Sequence, residues 1–225
     1  NDMYLENIND PSDIQKLNLD ELRILADETR DALIHKISLA GGHNGPNLGM
    51  VEVTTALHYV FHSPIDKFVF DVSHQSYPHK ILTGRKQAFL DEEHFHDVTG
   101  YTNPEESEHD FFTIGHTSTS ISLALGLAKG RDLNHGKENI IAIIGDGSLS
   151  GGEALEALDY AGEYRNNLII IVNDNDQSIA ENHGGLYKNL KELRESNGNC
   201  TNNIFKSFGL EYHYLEDGHD LFKLV

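Results

Sequence analysis

The sequence predicts an α/β fold: a doubly wound, mainly parallel sheet with helices on both faces. Three observations lead there. Residues 140–144 and 168–172, the latter in a strand read as 168–173, are short, uninterrupted apolar runs, the pattern of strands buried on both faces. Between them, residues 152–164 have the length and composition of a crossover helix, so the three segments form a strand–helix–strand unit with parallel strands. Each run ends in glycines and polar residues, Gly145-Asp146-Gly147 and Asn173-Asp174-Asn175, as expected where strands leave a sheet.

The remaining elements follow in order. Asn18 is placed to cap a helix while Glu21 reaches back to it, and Leu22, Leu25, Ala26, Thr29 and Leu33 fall on one face. A glycine-rich turn covers 41–46. Residues 48–61 are apolar around most of a helical circumference, which predicts a buried helix. Residues 67–72 read as a short strand and 77–83 as a helical turn. The stretch 91–110 has little periodicity and reads as a long loop, a feature often tied to function. A helix begins at Ser118, with Ile121, Ala124, Leu125 and Ala128 in register. Further on, 210–215 reads as another strand and 218–225 as the start of a helix. A sheet of this kind would continue, so the expectation is one domain over 1–225 that stops before its last strand.

Composition narrows the function classes. The chain has 225 residues, 38% of them hydrophobic, with a formal net charge of −19. Its apolar runs fall far short of the roughly 20 residues that span a bilayer, and no basic-then-apolar leader opens it, so neither membrane nor secretion is expected. Nucleic-acid binding needs clustered cations, and the acidic balance argues against it. The acidic residues are spread over helical segments and read as a solvated surface. One cysteine, Cys200, allows neither an internal disulfide nor a multi-cysteine zinc site, in keeping with a reducing, cytoplasmic location.

Ligands of open parallel sheets bind at the carboxyl ends of the strands. Asp146 follows one predicted strand and Asn175 its partner, one strand–helix–strand unit later, so both can face one crevice. A carboxylate, an amide oxygen and a backbone carbonyl are hard ligands suited to Mg²⁺ or Ca²⁺ that also touches phosphate. Gly145 and Gly147 let the backbone approach a phosphate, and Ser148 opens a helix whose amino end favours an anion. Gly-Asp-Gly alone is a common structural turn; its pairing with Asn175 is the specific signal.

That pairing resembles the thiamin-diphosphate motif of transketolase-type enzymes. A closer resemblance, to the 1-deoxy-D-xylulose-5-phosphate synthases, rests on Gly42-His43, Leu48-Gly49 with Glu52, Asp71-Val72-Ser73-His74-Gln75, Tyr77-Pro78-His79-Lys80-Ile81-Leu82-Thr83-Gly84, Glu106-Ser107-Glu108, Gly115-His116-Thr117-Ser118-Thr119-Ser120 and Asp217-Gly218-His219-Asp220. These motifs run in the family's order over nearly the whole chain. The resemblance implies thiamin diphosphate and Mg²⁺ as cofactors, with Asp146, the Asn175 side chain and the Gln177 carbonyl on the metal. Gly147, Ser148 and Asn175 would contact the diphosphate, while His74 and Gly115-His116-Thr117 would line the cofactor. His43 would stand near the reacting carbon, binding substrate or moving protons. The implied substrates are pyruvate and glyceraldehyde 3-phosphate, and the implied assembly of the complete protein is a homodimer. In this family the glutamate that activates the aminopyrimidine ring belongs to a second domain, so the pyrimidine-binding and C-terminal domains are absent here and the isolated chain is expected to be inactive.

A solitary histidine is ordinarily structural. His58 and His62 on the predicted buried helix, and the His94/His96 pair, keep that reading, since two alternating histidines without further ligands make a poor metal site. Two departures from the family pattern stand out: Ser73 occupies a position where glycine is usual, and 181–208 is short. Two alternatives stay open, a transketolase-like enzyme with another donor and acceptor, and a non-catalytic subunit of a split enzyme. A phosphate-binding domain unrelated to thiamin leaves the histidine motifs unexplained.

Overall fold

The computed structural model describes residues 3–174 and 181–225. Asp10 caps a single-turn helix, α1 (Pro11–Ile14). Asn18 then caps α2 (Leu19–Ala40) as its sequence predicts: its side chain accepts from the Glu21 amide at 2.9 Å, and the Glu21 carboxylate accepts from the Asn18 amide at 3.0 Å. The five residues expected on its inner face are all buried. The glycine-rich segment is less of a turn than expected, because Asn44–Leu48 forms a short helix, α3. The buried helix follows as α4 (Val51–Val60), starting later than residue 48 because Gly49 and Met50 separate it from α3.

Strand β1 (Lys67–Phe70) ends before residue 72. Val72 and Ser73 have positive φ, +58° and +70°, which no strand accommodates. Helix α5 (Tyr77–Lys80) leads through a wide turn, with Gly84 at φ +95°, into α6 (Gln87–Leu90). Then come α7 (Ser120–Leu133), β2 (Ile140–Gly145), the single turn α8 (Asp146–Leu149), α9 (Gly152–Glu163) and β3 (Ile169–Asn173). Helices α10 (Gly185–Glu195), α11 (Ile204–Ser207) and α12 (Leu221–Leu224) complete the described residues.

The three strands pair in parallel in the order β1-β2-β3, with Phe70 beside Ile143 and Gly145 beside Asn173. Alternation along the strands splits the core. Val69, Ile140, Ala142 and Ile144 face α7 and α9, where Ala124, Ala128, Ala154, Ala157 and Ala161 let those helices approach closely. Phe68, Phe70, Ile141 and Ile143 face Met50, Val53 and Leu57 at and on α4. Outside α4 lies α2, packed through Leu22, Leu25 and Leu33 against Val51 and Ala56. Helices therefore cover both faces, as the apolar runs predicted. Each fully buried Ile of β2 contributes about 1.5–3 kcal/mol relative to exposure.

Two expectations need correction. Residues of β3 are only half-buried, since β3 is the edge strand among those described. Residues 210–215 are not a strand. Leu210, Tyr212 and Tyr214 turn inward and Glu211, His213 and Leu215 outward, with Tyr212 stacked on Phe205 at 5.6 Å. The alternation is that of a strand, but among the described residues none lies alongside to complete a ladder.

Buried charge orders the long loop before α7. Lys80, fully buried, donates to the Thr99 carbonyl at 2.7 Å, the Tyr101 carbonyl at 2.6 Å and Glu106 Oε1 at 2.9 Å. Arg85 donates to both oxygens of Asp110, at 2.6 and 2.8 Å, and to Glu106 at 3.1 Å. Burial pushes the His79 and His58 imidazoles down from the usual histidine value, so both are neutral. Burial opposes ionisation of Asp110, yet hydrogen bonds from His79 and Arg85 outweigh it and hold its carboxyl well below the usual range. With Asp110 ionised, His79 Nε2 donates to Oδ1 at 3.0 Å and His79 Nδ1 accepts from His58 Nε2 at 2.9 Å. Lys86 is a second internal tie, donating to the carbonyls of Leu5, Glu6 and Ile8 at 2.6–3.0 Å.

Replacing Lys80 by Met strips a buried cationic donor from Glu106 and two carbonyls, leaving Arg85 to face both Glu106 and Asp110, and should cost about 3–5 kcal/mol in urea unfolding. Stability should also fall on acidification. His58 and His79 stay neutral in the fold but protonate near pH 6.5 when unfolded, so below that pH the unfolded chain binds more protons. A melting temperature that is flat from about pH 7.5 down to about 5.5 would contradict this.

Candidate functional site

The carboxyl ends of the three strands share one edge, set by the parallel register. Asp71, one residue past β1, is buried, and its carboxylate accepts from the amides of Ser118 at 2.9 Å and Ser120 at 3.0 Å. Ser118 in turn donates through its hydroxyl to the Ser148 carbonyl at 2.7 Å. This contact needs Gly151, where a Cβ would fall 2.0 Å from Ser118 Oγ. One chain of hydrogen bonds thus joins the end of β1, the start of α7 and the turn after β2.

Asp146 is buried at the end of β2, with Asn182 Nδ2 3.4 Å from its Oδ2 and the Tyr187 hydroxyl donating to its carbonyl at 2.9 Å. Gly147 is exposed and Ser148 half-exposed. Ser148 does not open a helix: it is the third residue of the single turn α8, which starts at Asp146. So short a helix has little dipole, and any anion held there would depend on local amides of Gly147 and Ser148. The other two predicted metal ligands, Asn175 and Gln177, lie outside the described residues. Nearby, Asp174 pairs with Arg194 of α10, both its oxygens 2.7 Å from Nη1.

His43 and His74 come together from separate loops, their rings meeting edge to face at 5.5 Å. Tyr77 and Tyr101 close around His43, at 6.3 and 5.6 Å. The fit is tight at Gly42 (φ +132°), where a Cβ would come within 2.9 Å of the Tyr77 hydroxyl. Burial, and secondarily His43, pushes His74 below the ordinary histidine value. Among the described residues, Nδ1 of both His43 and His74 is buried without a hydrogen-bond partner. Gly115, His116 and Thr117 are exposed on the loop that Asp71 fastens through Ser118.

Sequence reasoning missed the residue that joins the two histidine loops. Asn47 is completely buried; its Nδ2 donates to the carbonyls of His43 at 2.6 Å and His74 at 2.9 Å, and its Oδ1 accepts from the Tyr77 amide at 2.9 Å. The available signal was an asparagine predicted at the edge of an apolar helix, where a buried amide must be satisfied. Tyr101 was also missed, inside the long loop. Glu52 and His219, both motif residues, pair with each other at 3.2 Å and tie 217–220 to α4. A 430 Å³ concavity lies between the carboxyl ends of α7 and α9, lined by Lys129, Tyr160 and Arg165 among others, at the opposite end of the sheet.

The fold is that of transketolases. A crystal structure of transketolase from Campylobacter jejuni superposes with a TM-score of 0.69 at 20% identity, covering 92% of this chain and 35% of that one. Residues 5–201 match the family model for 1-deoxy-D-xylulose-5-phosphate synthase, and the chain belongs to that family. The synthase of Halalkalibacterium halodurans is 52% identical over 192 residues, and that of Caldanaerobacter subterraneus subsp. tengcongensis 50% identical over 190. These alignments cover 85% and 84% of this chain but 30% of each relative, so the chain spans about a third of their length.

Asn47→Ala should cost about 1–3 kcal/mol in denaturant unfolding, because a buried amide and two carbonyls lose their partners. It should also loosen the packing that desolvates His74, moving its imidazole titration back toward the ordinary value in an NMR titration. An unchanged titration would show that the His74 loop does not need Asn47.

Proposed function

We propose that this chain supplies the diphosphate- and metal-holding half of a thiamin-diphosphate site that joins pyruvate to glyceraldehyde 3-phosphate, giving 1-deoxy-D-xylulose 5-phosphate and carbon dioxide. The observation that carries this reading is the meeting of His43 and His74, from two family motifs, at the carboxyl edge of the sheet in a chain of this family. The residues fit the group: two buried imidazole nitrogens lack partners among the described residues, and a buried carboxylate ends the central strand.

Thiamin diphosphate, when bound, supplies the carbon–carbon bond chemistry. Asp146, with Asn175 and Gln177, would hold Mg²⁺ by oxygen ligands. Amides of Gly147 and Ser148 would face the diphosphate. His74 and the Gly115-His116-Thr117 turn would line the cofactor, with His74 neutral near pH 7 because burial disfavours its charge. His43, framed by Tyr77 and Tyr101, would bind the substrate's oxygen or move a proton there. Residues 1–225 act as one diphosphate-binding domain; the carboxylate that activates the aminopyrimidine belongs to a further domain of a cytoplasmic, homodimeric enzyme whose product feeds isoprenoid, thiamin and pyridoxal synthesis.

The test is carbon dioxide release and ketose phosphate formation by the full-length protein with Mg²⁺ and thiamin diphosphate. His43→Ala should lower kcat by about 10²–10⁴-fold with little change in cofactor affinity. His74→Ala and Asp146→Ala should chiefly weaken cofactor binding. The 225 residues alone should give no detectable carboligation. A ketose phosphate accepted as donor in place of pyruvate would make the protein transketolase-like instead. Turnover by the isolated chain would overturn the division of labour.

A further inference from the structure

Two consecutive residues after β1 occupy the left-handed region, Val72 at φ +58° and Ser73 at φ +70°. A β-branched residue there is a genuine outlier, and such strain persists only where the surroundings over-determine it. Here the Ser73 amide donates to the Asp71 carbonyl at 2.5 Å, closing a tight turn around Val72. Ser73 itself is completely buried. From this position its hydroxyl donates to the Ile114 carbonyl at 3.2 Å and accepts from the Thr102 amide at 3.0 Å, while its carbonyl accepts from the Ser76 hydroxyl at 2.6 Å.

Those partners lie on the loops that build the candidate site. Thr102 follows Tyr101, whose ring lies against His43. Ile114 precedes Gly115-His116-Thr117, and Ser73 precedes His74. The Thr102 hydroxyl adds one stitch between the first two loops, donating to the Phe112 carbonyl at 2.8 Å. A glycine at position 73 would adopt the same backbone more readily, but could make neither hydroxyl contact.

We propose that Ser73 is a positioning residue whose hydroxyl locks the His74, Tyr101 and 115–117 loops into one wall, and that the strained turn at Val72 and Ser73 aims that hydroxyl. Its bearing on cofactor binding rests on the function proposed above; its bearing on loop geometry does not. Ser73→Gly removes the hydroxyl and the strain at position 73, leaving that at Val72. Ser73→Ala removes the hydroxyl, keeps the strain and leaves the Thr102 amide without its acceptor.

In the full-length protein, hydrogen exchange at the Thr102 amide should accelerate roughly 3- to 10-fold in both variants, the scale of one lost hydrogen bond. Thiamin diphosphate with Mg²⁺, titrated by calorimetry, should bind at least about 5-fold more weakly to both. The melting temperature should fall clearly in Ser73→Ala but stay near wild type in Ser73→Gly, because relief of strain offsets the lost contacts. A glycine variant with wild-type exchange at Thr102 and wild-type cofactor affinity would overturn the proposal. If the wild-type protein does not bind thiamin diphosphate, the functional reading falls, and the exchange comparison still decides whether Ser73 locks the loops.

Discussion

The carboxyl edge of the sheet depends on one buried carboxylate. Asp71 accepts the amides of Ser118 and Ser120, donors at the start of α7 where a helix has no internal acceptors to offer. The end of a strand is thereby fastened to the beginning of the next long helix. Ser118 passes the constraint on to the Ser148 carbonyl, so the turn bearing Asp146 is located relative to β1 as well as β2. Each link pairs a buried polar group with a partner, which is why this edge can be polar and still pack.

Around that edge the protein orders a long loop with charges instead of secondary structure. Lys80, Arg85, Glu106, Asp110 and His79 satisfy one another and several backbone groups at once. A network of this kind is rigid while complete and costly when broken, because each member is desolvated on account of the others. Its effect reaches the site through Tyr101, whose carbonyl Lys80 holds and whose ring stands against His43.

Much of this was legible in the sequence wherever the signal was local. The Asn18–Glu21 box, the face of α2, the two isoleucine-rich strands and the crossover between them all follow from spacing within a few turns. Proximity of His43 and His74 followed from the family motifs. Asn47 and Ser73 were not legible as ties, because they reach across as many as 41 residues, largely to backbone groups that any residue type would present. Residues 210–215 show the converse: an alternating pattern specifies which side chains turn inward, but not whether another strand lies alongside. Ser148 was expected to open a helix, but the single turn that contains it already starts at Asp146.

The lysine cages have a consequence for how small ions meet this protein. Among the described residues, Lys36, Lys80, Lys86 and Arg131 are buried, and so are Asp66, Asp71, Asp110 and Asp146, so their buried charge is close to neutral. The formal excess of −19 is therefore expressed almost wholly on the outside. Such a surface concentrates divalent cations near itself and repels small organic anions over about one Debye length, roughly 8 Å at physiological salt. Ionic strength then acts in opposite directions on the two encounters, slowing capture of a cation and easing the approach of a carboxylate or phosphate.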